Sequence, residues 1–177
     1  MQRWNEDALP SVATRARWIV RLVCGLAVVS TTVWAAGKPN LSVQIEVARE
    51  VAEVALDGTA RLALEPAAEA RSGDILVYTL GYRNTGDAPA RQAVLSDPVP
   101  EGTVLIRESV VGDGMEILYS RDGHTYGAWP RVQRRNADGA MEWVDAPASD
   151  VKHIRWKLAQ AVPPGGSGYA VFKVVVQ

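Results

Sequence analysis

The chain has 177 residues, 47% hydrophobic and 22% charged, which suits one ordinary globular domain and excludes an intrinsically disordered chain. Nineteen Lys and Arg nearly balance twenty Asp and Glu, for a net charge of −1; nucleic-acid binders concentrate cations into a strongly basic face, so that class is set aside. Two histidines and one cysteine leave little material for a nucleophilic triad or a zinc centre.

Arg15, Arg17 and Arg21 precede the apolar run LVCGLAVVSTTVWAA, in which Val33-Trp34-Ala35 closes with small residues at the two positions a signal peptidase reads. Basic, apolar, then small is the order of a secretory signal, so residues 1–35 are expected to form a signal helix cut after Ala35. The run is about 15 residues, short of the roughly 20 that span a bilayer core; an uncleaved anchor is the other reading. In either case the membrane is met only through this segment. Cys24 is the only cysteine and lies inside the run, so a cleaved chain contains none and folds without disulfides.

From Leu41, LSVQIEV alternates with period two, as a half-buried strand does. Val47, Val51 and Val54 also have helical spacing, but the strand before them and Asp57-Gly58 after them favour a continued or bulged strand and then a turn. ARLALEP is a second, weaker strand. ILVYTLGYRN is the clearest, with Leu76, Tyr78, Leu80 and Tyr82 on one face. It stops at Asn84-Thr85-Gly86, where Asn bonds to nearby backbone and Gly accepts positive φ. QAVLSD is closed by Asp97-Pro98-Val99-Pro100, since proline donates no ladder hydrogen bond, and TVLIRESV follows.

MEILYSRDGHTYGAW reads as a hairpin about Asp122-Gly123, and VQRRNADGAMEWV as a looser one about Asp138-Gly139. In VKHIRWKL, Ile154, Trp156 and Leu158 are expected to face the core; in YAVFKVVVQ, Ala170, Phe172, Val174 and Val176. Turn signals every eight to twelve residues, with no convincing helix, predict an all-β immunoglobulin-like sandwich of about seven to nine strands. The domain spans residues 36–177, with a hairpin insertion at about 115–150.

Gly73-Asp74 before a strand with a central Tyr78, then Asn84-Thr85-Gly86, then Asp97-Pro98-Val99-Pro100-Glu101-Gly102, resembles the bacterial conserved-repeat domain called domain of unknown function eleven. Ile154-Arg155-Trp156 and the Pro-Gly-Gly-Ser-Gly turn before the last strand are similar to the same group. The resemblance implies an immunoglobulin-like module of bacterial surface or envelope proteins, usually in tandem copies, and no catalytic residues. This chain has a single copy and carries the 115–150 insertion.

His124 beside a turn and His153 on an outward strand face read as surface residues, and no ligand spacing joins them to a carboxylate pair. A copper group of Met115, Met141, His124 and His153 competes with plain packing, and a calcium group of Asp97, Glu101, Asp113 and Asp122 competes with turn chemistry. The bland reading is preferred for both, so no metal or cofactor is expected. The insertion stands out: Tyr119, Tyr126, Trp129 and Trp143 are interleaved with Arg131, Arg134 and Arg135. Aromatics with Arg suit a recognition surface, and equally a small satellite core.

The expectation is a non-enzymatic, exported structural or protein-interaction module, periplasmic, outer-surface or secreted, with an envelope or surface protein as partner. The alternative is a carbohydrate-binding accessory protein that stacks a glycan on Tyr126, Trp129 and Trp143.

Overall fold

The computed structural model describes residues 37–55 and 58–177; the expected signal helix of residues 1–35 lies outside them. Ten strands are found among the described residues: β1 (Leu41–Val54), β2 (Ala60–Pro66), β3 (Ile75–Asn84), β4 (Val94–Pro98), β5 (Thr103–Gly112), β6 (Met115–Ser120), β7 (Arg131–Arg135), β8 (Met141–Asp145), β9 (His153–Leu158) and β10 (Ser167–Val176). One 3₁₀ turn, Ala148–Asp150, precedes β9. The segment from Val47 that also had helical spacing continues β1.

The strands form a five-stranded antiparallel sheet, β2-β1-β3-β10-β5, a three-stranded one, β4-β9-β6, and the separate pair β7-β8. The two larger sheets account for eight strands, within the expected seven to nine; the β7–β8 hairpin raises the total to ten. The two main sheets share one core, to which β3 and β10 bring Leu80, Ala170, Phe172 and Val174 and β9 brings Ile154, Trp156 and Leu158. Alternation in these strands therefore reports burial as expected. The Phe172 ring lies 4.9 Å from Tyr78 and 6.0 Å from Trp156, whose Nε1–H donates to the Val111 carbonyl at 3.2 Å.

The five-stranded sheet is the wider of the two, and β1 overhangs. Val43 and Ile45 share the core face with Tyr82 and Leu80, yet they remain 44% and 52% exposed. On the opposite face, Glu50 and Lys173 form an ion pair above Val77.

The stop after β3 has two causes. Asn84 is fully buried: its Oδ1 accepts the N–H groups of Asn40 and Gly86 at 3.1 and 3.0 Å, and its Nδ2 donates to the carbonyls of Ala88 and Val162 at 2.8 Å each. One side chain thus joins the start of β1, the turn after β3 and the connection between β9 and β10. Gly86 is required by close approach rather than by positive φ, since an added Cβ would collide with the Lys38 carbonyl and lie 2.5 Å from the Asn40 nitrogen.

One element differs from its expectation. MEILYS does not pair with residues 124–129 as a hairpin; β6 pairs along its length with β9, and only the Tyr119–Gly127 bridge joins it to the following loop. Residues 115–120 therefore belong to the sheet framework. The ladder to β9 places Leu118, Tyr119 and Ser120 in buried positions, which an exposed hairpin does not offer.

Candidate interaction surface

The loop leaving β6 is shaped by Ser120 and Asp122. The Ser120 hydroxyl accepts the Gly123 N–H at 2.9 Å and donates to Asp122 Oδ1 at 2.9 Å, and that same oxygen accepts the N–H groups of His124 and Thr125 at 2.8 Å each. The Thr125 and His124 amides, then the Ser120 hydroxyl, hold the Asp122 carboxyl well below its ordinary range. Gly123 adopts φ +77° under the His153 ring, where an added Cβ would lie 3.0 Å from Nε2. Asp122, His124 and His153 all serve this turn through hydrogen bonding or packing.

The aromatic and Arg residues of the segment fall into two groups. Tyr119 is buried and meets Trp129 edge-on at 4.7 Å, while Trp129 Nε1–H donates to the Ala146 carbonyl at 3.0 Å. The Arg107 guanidinium lies 4.0 Å above the Trp129 ring, and that of Arg155 lies 3.5 Å above Tyr126. Burial raises the Tyr119 hydroxyl above its ordinary pKa, with Arg107 opposing. Tyr119 belongs to the main core and Trp129 packs against it, and the rings of Trp129 and Tyr126 each have a guanidinium against one side where a sugar would stack.

The second group projects on the β7–β8 hairpin. Its turn is closed by Asn136, whose Oδ1 accepts the N–H groups of Asp138 and Ala140 at 3.1 and 2.9 Å. The register pairs Arg131 with Asp145, Gln133 with Trp143 and Arg135 with Met141, which sets these six on one face. Arg134 shares the other face with Glu142 and the half-buried Val132 and Val144. Trp143 and Met141 are 57% and 55% exposed. Arg131 donates to the Trp143 carbonyl at 2.5 Å and Arg135 to the Gly139 carbonyl at 2.9 Å, so both guanidiniums are held against the hairpin and still exposed. Its base is tied by the Ala146 N–H to Pro130 carbonyl bond at 2.8 Å and by the Arg107–Asp145 ion pair at 3.0 Å. The face offers an indole, a thioether and two forked cations, groups that suit a partner's carboxylates and apolar side chains.

Two contributing residues escaped the sequence reading. Arg107 and Arg155 come from β5 and β9, far in sequence from the rings they cover, and no local pattern marks them. Asp97 was read as a turn residue; it lies on the core face of β4 beside Leu95, where burial raises its carboxyl to about 6 and its charge helps raise Tyr78. Its alternation with Leu95 was the available signal. Three of the four acids weighed for calcium act separately: Asp97 on Tyr78, Asp113 on Tyr82, and Asp122 within its own turn. Among the described residues no group of three or more His, Cys, Asp or Glu could hold a metal. No family model, curated protein or solved structure matches the chain.

Proposed function

We propose that the protein is a non-enzymatic, immunoglobulin-like module of the bacterial cell envelope that binds a partner protein through the Arg131–Trp143–Arg135 face of the β7–β8 hairpin. The observation that carries this reading is the exposure of Trp143 on a two-stranded sheet separate from the main framework. An exposed indole flanked by Arg is the composition of binding hot spots. The resemblance of residues 73–102 to the envelope repeat domain and the signal-like order of residues 1–35 support the location. The covered rings of Trp129 and Tyr126 weigh against a glycan platform, which would need open aromatic faces.

The test combines N-terminal sequencing of the accumulated protein with photo-crosslinking from Gln133 in the native host. The expected result is a mature chain starting after Ala35 and one reproducible envelope protein crosslinked, with capture abolished by Trp143→Ala. A cytoplasmic protein retaining its first 35 residues ends the reading.

A further inference from the structure

The outer edge of β2 carries a self-complementary sequence. Ala67 N–H donates to the Val47 carbonyl at 3.4 Å, and Ala55 N–H donates to the Thr59 carbonyl at 2.8 Å, in the register that pairs Ala48 with Pro66. Odd-numbered residues of β2 therefore exchange hydrogen bonds with β1. Because β2 is the last strand of its sheet among the described residues, the N–H and C=O groups of Leu62 and Leu64 point outward from the edge. Arg61 lies opposite Glu53 and Glu65 opposite Arg49, as ion pairs of 3.2 and 3.1 Å. On the other face, Leu62 and Leu64 are 68% and 52% exposed.

We propose that β2 pairs antiparallel with β2 of a second copy, about a two-fold axis through Ala63, so that two five-stranded sheets become one continuous sheet. With Leu62 and Leu64 as the residues that bond, the axis can pass through Leu62, Ala63 or Leu64. An axis at Leu62 sets Arg61 opposite Ala63. An axis at Leu64 sets Glu65 opposite Ala63 and faces Leu62 with Pro66, which has no N–H to donate. Only the axis at Ala63 sets Arg61 of each copy opposite Glu65 of the other and Leu62 opposite Leu64.

The charge row then runs Glu53, Arg61, Glu65 of the second copy, Arg49 of the second copy, alternating in sign across four strands. The opposite face gathers four leucines into one aliphatic cluster. At the axis the two Ala63 residues form a non-hydrogen-bonded pair, where Cα atoms come to about 4.5 Å. Interfaces about a two-fold axis require this kind of self-complementarity, and the sequence Arg-Leu-Ala-Leu-Glu supplies it in five residues. The inference stands on β2 alone and does not rest on the envelope reading.

Sedimentation equilibrium of the protein, purified in the processed form that cells accumulate, tests it. The wild type is expected to be a dimer. Arg61→Glu and Glu65→Arg are each expected to weaken association by at least about tenfold, through like charges facing each other. An equimolar mixture of the two variants is expected to regain the dimer, because one chain then has acids at both positions and the other has bases. A wild type that stays monomeric, a dimer indifferent to both variants, or a mixture that stays apart overturns the proposal. Ala63→Cys in a Cys24→Ser background reads the register without altering charge: the expected result is an interchain disulfide under mild oxidation, since the spacing lies within disulfide range. Absence of that crosslink overturns the axis.

Discussion

Strands β9 and β8 each carry a tryptophan in an alternating sequence, and the two have opposite fates. Trp156 is fully buried, between Ile154 and Leu158 on the same face of its strand, while Trp143 is 57% exposed. β9 is the central strand of its sheet, with β4 and β6 on either side, whereas among the described residues β8 pairs only with β7. A strand paired on both edges and covered by a second sheet turns alternation into burial. A strand in an isolated hairpin turns the same alternation into two surfaces.

The largest effect that tests this contrast is Trp156→Ala, expected to destabilise by about 3–5 kcal/mol through the cavity it leaves and the lost Val111 hydrogen bond, read from urea denaturation. Retention of wild-type stability would break the comparison at its stronger member. Next is Asn84→Ala, expected to cost about 2–3 kcal/mol because buried donors and acceptors on three connections lose their partner. Chemical denaturation should show that loss, and hydrogen exchange should show the first residues of β1 opening with it.

Asp97 gives a smaller and pH-dependent effect. Its carboxyl rises from the ordinary 3.8 to about 6 on folding, so between those values the native state holds more protons than the unfolded state. This contribution makes the fold most stable below about pH 4, falls as pH rises to about 6 and is level above. Comparing thermal midpoints of the wild type and Asp97→Asn across that window isolates it: the wild type should lose stability relative to the variant as pH rises. A difference that stays flat across the window would place Asp97 in water. The smallest expected stability effect is Trp143→Ala, within about 0.5 kcal/mol, because the ring lies mostly in solvent. A calorimetric loss of several times that would show Trp143 to be a core residue and remove the contrast with Trp156.

Much of the framework was legible. Ile154, Trp156, Leu158, Ala170, Phe172, Val174 and Val176 were assigned to the core from period two alone; the first six are buried and Val176 is half-buried against them. The stop at Asn84-Thr85-Gly86 was read from turn chemistry, but its larger cause, a side chain joining residues 40, 86, 88 and 162, depends on segments brought together only by folding. The aromatic segment was legible as a composition and not as an arrangement. Tyr119 joined the main core with Trp129 against it, Arg107 and Arg155 reached over the rings of Trp129 and Tyr126, and Trp143 was carried outward on β8.

By itself the sequence determined where strands run and where they turn, because side-chain alternation, proline and Asn-Thr-Gly or Asp-Gly chemistry act over a few residues. Only the tertiary structure decided which sheet each strand joined, that β6 would pair with β9 rather than with the loop beside it, and that Trp143 would be left exposed on a separate hairpin. Those outcomes depend on ladders between distant residues, such as Arg83 with Ser167, and on the overhang of a wider sheet beyond a narrower one.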